Sequence, residues 1–206
     1  DRDDVMIFHL GMSGRWRIDP TDIGKHDHLI LETDQGRVLA LCDPRRFGSV
    51  DLVTAAELPS FGPFVALGPE PLGPELNGAY LAKALAGRVA PIKLLLLDQR
   101  IVAGLGNIYV CEALHMTGIA PGTMGGRLSR ARLDRLVESI RTVLSAAIEA
   151  GGSTLRDYAR PDGELGYFAK QWLVYGREGE ACHCGAQVKR RVDGGRSTFY
   201  CSKCQK

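Results

Sequence analysis

The sequence predicts an α+β protein: a partial antiparallel β-sandwich, then a helical domain, then a C-terminal zinc-ribbon hairpin. Three observations lead there. Residues 1–53 are short β-rich runs separated by Gly and Asp turns. Residues 129–150 carry apolar side chains at helical spacing. The last 25 residues hold four of the chain's six cysteines, in two close pairs. With 206 residues, the chain is long enough for one large domain or two small ones with a buried core.

Residues 5–10 form a short apolar run that ends at Gly11-Met12-Ser13-Gly14. Residues 28–33 and 37–42 flank Asp34-Gln35-Gly36, a hairpin signal, and residues 47–53 follow as a further strand. Residues 1–58 are therefore read as the sandwich part. The Pro/Gly-rich stretch 59–74 is read as a linker. Residues 75–170 are the helical domain. Short helices are expected at 76–86 and 91–97, and a third at 107–115, entered from Gly104-Leu105-Gly106. The longest is expected at 129–150. There Leu133, Leu136, Val137, Ile140, Val143, Leu144, Ala147 and Ile148 recur on one face, and Gly151-Gly152 stops the helix. Residues 153–170 are polar and glycine-bearing, a loop. The ribbon occupies 171–206.

The tail carries the plainest chemistry. Cys182-His183-Cys184 and Cys201-Ser202-Lys203-Cys204 are separated by sixteen residues. Two close cysteine pairs brought together by a loop suit one tetrahedral zinc. The first pair is one residue shorter than the common CxxC and needs a tighter turn. His183 is an alternative ligand, and a reduced, metal-free tail is the plain alternative. The tail has few large apolar side chains, so bound zinc would supply much of its folding energy. From Cys182 to Lys206 six basic residues stand against Asp193 alone, a net +5 in a chain whose overall charge is +2. That local excess suits a polyanion, and a solvated surface is the other reading. Arg196 follows Gly194-Gly195 and is offered by a turn that a metal would hold rigid. Cys42 and Cys111 stand alone in apolar runs as buried small residues. Reduced cysteines fit a cytosolic compartment. No signal peptide and no run long enough to span a membrane is seen.

Three further strings are ambiguous alone. Gly104-Leu105-Gly106-Asn107-Ile108-Tyr109 places Asn107 at a helix cap, where free N–H groups favour an anion; an ordinary capped turn explains it at least as well. Asp43-Pro44-Arg45-Arg46-Phe47-Gly48, with Met12, could form an apolar wedge for a base stack. Two β-turns with an aromatic tucked into the core explain it too. His26 and His28, within Lys25-His26-Asp27-His28, lack further ligands nearby, which argues against a metal.

Taken together and in order, these strings resemble the formamidopyrimidine-DNA glycosylase family. Gly166-Tyr167-Phe168, Val174-Tyr175-Gly176-Arg177 and Arg196-Ser197-Thr198-Phe199-Tyr200-Cys201 complete the match, which runs through almost the whole chain. The resemblance implies a β-sandwich N-terminal domain, a helix–two-turn–helix domain and a C-terminal zinc finger. It implies a bifunctional DNA glycosylase and AP lyase of base-excision repair. Such an enzyme removes 8-oxoguanine and formamidopyrimidines by base flipping, Schiff-base formation and β,δ-elimination. The implied partner is double-stranded DNA with oxidised bases or abasic sites, met by a monomer in the bacterial cytoplasm, associated with the nucleoid. Met12, Arg45 and Phe47 match void-filling positions. His26, Arg45, Arg88, Asn107 and Arg196 match DNA-contacting ones, and Arg196 also the proton donor of δ-elimination. Cys182, Cys184, Cys201 and Cys204 match ligands of one structural zinc. Residues 153–168 match the loop that closes over the flipped base.

One departure is large. The family pattern opens Pro-Glu, and its proline nitrogen is the nucleophile. This chain opens Asp1-Arg2-Asp3-Asp4. Roughly sixty residues of the usual N-terminal domain are expected to be missing, and the chain as it stands is expected to be inactive alone. It is read as a piece of a complete enzyme. The competing readings are an endonuclease VIII-like enzyme for oxidised pyrimidines, and a truncated, non-catalytic zinc-dependent module that binds damaged DNA.

Overall fold

The computed structural model describes residues 3–11, 13–152 and 168–206. Met12 and residues 153–167, and with them nearly all of the expected lesion-capping loop, lie outside the described residues. The chain divides into two compact units, residues 1–65 with 149–170, and residues 66–148 with 171–206.

The first unit is built from five antiparallel strands: β1 (Asp4–His9), β2 (Arg15–Ile18), β3 (Asp27–Glu32), β4 (Val38–Cys42) and β5 (Ser49–Thr54). They form a two-stranded sheet β1-β5 and a three-stranded sheet β2-β4-β3. The β3–β4 hairpin turns where Asp34-Gln35-Gly36 signals it. The Thr33 and Arg37 backbones pair, and Gly36 takes a positive φ. Ala40, Leu41 and Cys42 of β4 are buried. Phe8 of β1 meets Trp16 of β2 edge to face at 5.2 Å, which joins the two sheets. Sequence analysis did not single out β2. It has only four residues and abuts the glycine loop, so it carries too little alternation to register. A 3-10 turn at Leu58–Ser60 leads into the stretch read as linker, which holds a short helix α1 (Gly62–Val65) whose first turn accommodates Pro63.

The second unit contains α2 (Gly78–Leu85), α3 (Ile92–Leu96), α4 (Asn107–Thr117), α5 (Arg130–Glu149) and the hairpin β6 (Lys189–Asp193) with β7 (Arg196–Tyr200). Asn77 caps α2, its side chain accepting from the Tyr80 N–H at 3.0 Å. The apolar stripe of α5 is buried as its spacing requires, from Leu133 to Ala147, while Ile148 is exposed. Arg141 on that helix donates to the Gly73 and Leu76 carbonyls, both at 2.9 Å. No helix among the described residues is long and apolar enough to cross a membrane.

Two buried groups dock the ribbon on the helices. The Glu112 carboxylate of α4 accepts the backbone N–H groups of Leu173, Val174 and Tyr175 at 2.7 to 3.0 Å. Those amides are therefore satisfied by a side chain and need no sheet partner. The ribbon's small core joins Cys111 of α4 to Val174, Cys182, Val188, Phe199 and Cys201. Gln205 then clamps the chain end: it accepts from the Cys201 N–H and donates to the Ile119 carbonyl, both at 2.8 Å.

Candidate nucleic-acid interface and metal centre

In the first unit the Asp43–Gly48 turn is held from below. Asp43 is buried; its carboxylate accepts from the Gly48 N–H at 2.8 Å and the Ser13 hydroxyl at 2.9 Å. Those donors, the Gly48 amide first, hold its pKa below the ordinary carboxylate value. Gly11 must lack a side chain, because a Cβ there would come within 2.8 Å of the Phe47 carbonyl group. The two loops are thus seated on one another. Above this support Phe47 is 59 % exposed, and the Arg45 guanidinium lies 4.9 Å from its ring centroid. An aromatic tucked into the core, the plain alternative for this string, does not describe Phe47. His26 is half-buried; its carbonyl accepts from the Asp43 N–H at 2.9 Å, and its ring meets that of His28.

In the second unit Asn107 is the first helical residue of α4, with Gly106 as the cap. Sequence analysis placed Asn107 at the cap itself. The displacement has a cause: its amide is committed elsewhere. Asn107 Nδ2 donates to the Ser197 carbonyl at 2.9 Å and lies 3.3 Å from the Tyr175 hydroxyl, while Oδ1 is buried without a partner among the described residues. The α4 N-terminus retains its backbone N–H groups and dipole, an anion-favouring feature.

Arg196 begins β7, directly after Gly194-Gly195, and is exposed. Both glycines take positive φ, 56° and 76°, as a two-residue hairpin turn of the primed type requires. The strand behind Arg196 is fixed by Lys93, which is fully buried in α3. Its ammonium donates to the Ser197 carbonyl at 3.2 Å and to the Thr198 hydroxyl at 2.7 Å. Burial lowers the Lys93 pKa. Arg88 is exposed beyond α2 and contributes to lowering the pKa of Asp98, which falls to about 2 mainly through the side-chain hydrogen bond from Arg100. The structure therefore joins Asn107 and the Arg196 strand. It places His26, Arg45 and Phe47 in the first unit, and Arg88, Asn107, Arg196 and the cysteines in the second.

The four tail cysteines converge. Their sulfurs lie within 4.8 Å of one another, with Cys182–Cys204 at 3.8 Å and Cys184–Cys201 at 3.5 Å. A tetrahedron with metal–sulfur bonds of about 2.3 Å has edges of about 3.8 Å. The shortened first pair thus closes on the same point as the second, and the cluster could bind a metal ion. Its charge asks for one. The Ala186 N–H lowers the Cys184 pKa to about 7, whereas the hydrogen bond with Cys184 pushes Cys204 up to about 12. Burial raises Cys182. Without a cation the cluster resists full ionisation. His183 stands beside this set, its Nδ1 3.5 Å from Cys182 Sγ.

Lys93, Glu112 and His115 were not found by sequence reasoning. A single polar residue within an apolar helical run was the available signal. Each is buried, and each reaches a partner in the ribbon.

Comparison with known proteins sharpens the setting. Family models described as the formamidopyrimidine-DNA glycosylase N-terminal domain and its H2TH domain match residues 1–50 and 67–159. The chain is 82 % identical to a formamidopyrimidine-DNA glycosylase of Rhizorhabdus wittichii, over all of this chain and 76 % of the relative. It superposes on the MutM (Fpg) protein of Thermus thermophilus with a TM-score of 0.88 at 41 % identity, covering 98 % of this chain and 76 % of that one. It superposes on Lactococcus lactis Fpg in complex with DNA containing an abasic site with a TM-score of 0.89 at 34 % identity, covering 99 % of this chain and 76 % of that one.

Proposed function

Because the chain belongs to the formamidopyrimidine-DNA glycosylase family, we propose that each of its two sites contacts damaged duplex DNA for base-excision repair of oxidised purines. The observation that carries this is the shared anchor at Ser197. Asn107 at the head of α4 and the buried Lys93 both donate to that one carbonyl, adjacent to the exposed Arg196. A cation and a helix N-terminus held to one strand suit two phosphates of a bent backbone.

In this reading Arg196 binds the phosphates flanking the lesion and serves as proton donor in δ-elimination. The backbone at the head of α4 takes a neighbouring phosphate, with Asn107 orienting it. Arg88 and His26 add phosphate contacts. Phe47, Arg45 and Met12 fill the stack left by the everted base. Eversion costs a few kcal/mol of unstacking, which an exposed aromatic replaces in part. Residues 153–168 close over the flipped base. Cys182, Cys184, Cys201 and Cys204 hold one structural zinc, which supplies rigidity to the hairpin and takes no part in the reaction.

The chemistry is covalent amine catalysis. A secondary amine forms a bond to C1′ of the sugar as the base departs with the bonding electrons and a proton. The C1′–O4′ bond then opens, with O4′ taking a proton, to give an iminium that draws electrons; loss of a C2′ proton expels the 3′ phosphate, and loss of the C4′ proton in a second elimination expels the 5′ phosphate. The Pro-Glu amine that the resemblance implies is not among these 206 residues. A polypeptide of these residues alone is proposed to hold lesion DNA without cutting it. The protein is further proposed to act as a monomer in the bacterial cytoplasm, at the nucleoid.

Borohydride trapping on an 8-oxoguanine duplex tests the reading. The 206 residues joined behind a family-type segment opening Pro-Glu should give a covalent adduct, and the 206 residues alone should bind without one. A chimera that binds the duplex yet is never trapped would refute the enzyme.

A further inference from the structure

The four-cysteine cluster is flanked by a second set of donors. His115, Cys182, His183 and Cys204 also bring their ligand atoms within 4.8 Å of one another. His115 Nε2 and His183 Nδ1 lie 3.4 and 3.5 Å from Cys182 Sγ; the other nitrogen of His183, Nε2, lies 3.7 Å from Cys204 Sγ, and one nitrogen of each ring serves as ligand. For metal–nitrogen bonds of about 2.0 Å and metal–sulfur bonds of about 2.3 Å, a tetrahedral N···S edge is about 3.5 Å. The second set therefore has the spacing of a metal site in its own right. The two sets share one edge, Cys182 to Cys204, at 3.8 Å.

We propose that the tail binds a second zinc-like divalent cation on His115 and His183, with the Cys182 and Cys204 thiolates bridging the two ions. The proposal rests on the reading that the four cysteines hold zinc.

Charge favours it. Four thiolates around one divalent ion leave a formal −2, with Cys182 and Cys201 of the set buried. A second divalent ion on two neutral imidazoles and the same bridging sulfurs brings the cluster to zero. The thiols give up their protons to solvent when the first ion binds, and the second ion needs no further thiol ionised.

Access and the ligand residues favour it too. A cavity of about 390 Å³ is lined by His115, His183, Cys204, Met116 and Leu173, so an ion can arrive from solvent. His183 is exposed, whereas His115 is buried near the end of α4. His115 turns its Nε2 toward Cys182 Sγ, the orientation that a ligand nitrogen at this site needs. The short Cys182-His183-Cys184 spacing puts the second imidazole between the paired thiols, where the common two-residue spacer need not place one.

Native mass spectrometry of the whole 206-residue chain, loaded with Zn2+ and then desalted, counts the ions. Two per chain are expected, the second leaving first under a weak chelator. His183→Ala changes an exposed side chain and should retain one ion, with the second ion's affinity lowered by more than about a hundredfold; outer-sphere partners alone are worth about ten- to a hundredfold. His115→Phe should do the same. Should that buried change unfold the tail, His183→Ala still carries the test. Saturation at one ion in the unaltered chain, or two ions retained in His183→Ala, overturns the second site and leaves the four-cysteine reading standing. No bound ion at all overturns both.

Discussion

Asn107 Nδ2 donates to the Ser197 carbonyl at 2.9 Å, tying the first residue of α4 to the strand that presents Arg196 across a separation of ninety residues. The bond holds the head of α4 and the start of the Arg196 strand together. Asn107→Ala removes that bond but also removes Oδ1, which is buried without a partner among the described residues. The two effects oppose, so stability should fall by only about 0–1 kcal/mol. Affinity for abasic-site duplex should fall by about tenfold. Asn107→Asp should fall further, because it faces a carbonyl with an acceptor and sets a negative charge at the proposed phosphate site. Fluorescence anisotropy beside thermal melting separates grip from fold. Equal losses in both variants' melting and binding would contradict the anchoring role.

Arg196 is exposed and starts β7, so Arg196→Ala should leave the melting temperature unchanged. In the phosphate role it releases about one counterion, and the slope of log K against log salt should fall by about one. Binding measured across a salt series decides this. A parallel line displaced downward would mean that Arg196 contributes something other than phosphate contact.

Much of this architecture is legible in the chain. The Asp34–Gly36 turn, the stripe from Leu133 to Ala147 and the cysteine pairs each carry their signal within a few residues. The elements that join the ribbon to the helices do not. Lys93, Glu112 and Asn107 find partners 61 to 105 residues away, and nothing local marks a polar side chain as a clamp. His115 is the same case. It reads as one more residue of a buried helix face until Cys182 is found 3.4 Å away. Phe47 shows the reverse: its local string suits either an apolar wedge or a core aromatic, and the fold, which leaves it 59 % exposed, decides between them.

Phe47 gives the complementary prediction to Arg196. With 59 % of its surface exposed, Phe47→Ala should change stability by no more than about 0.5 kcal/mol. Base stacking is worth about 1–3 kcal/mol per aromatic, so lesion-duplex affinity should drop by roughly five- to 150-fold. The salt slope should stay as it is, since no phosphate contact is lost. A changed slope with unchanged affinity would rule out the stacking role.

Asp43 should make the Phe47 turn sensitive to acid. Its folded pKa lies below the ordinary value, through the Gly48 N–H first and Ser13 among the further donors. A depressed carboxylate pKa means that its stabilisation is complete above the unfolded value, near 3.9, and is lost as pH falls through the folded one. Hydrogen exchange of the Gly48 amide should therefore quicken, relative to its intrinsic rate, only below about pH 4. Asp43→Asn should remove this acid dependence while weakening the turn at every pH. An acid dependence that persists in Asp43→Asn would assign the effect to another group.

Metal removal tests the link between the ribbon and the grip. The thiols must ionise to bind zinc, and Cys204, pushed up to about 12 by its neighbours, ionises only with a cation's help. A strong chelator should thus strip the site faster at pH 6 than at pH 8. Loss of the ion leaves the ribbon held by its small core on Cys111 and by the Glu112, Lys93 and Gln205 clamps. With the ion gone the thiols take up protons again, and those contacts alone do not draw the four sulfurs to one point. Hydrogen exchange should rise across 182–206 while α5 keeps its protection, because its stripe packs within the helical part of the unit. Duplex affinity should fall by more than about tenfold as Arg196 loses its fixed position. Uniform loss of protection in α5 and the ribbon together would show instead that the metal holds the whole unit, not the hairpin alone.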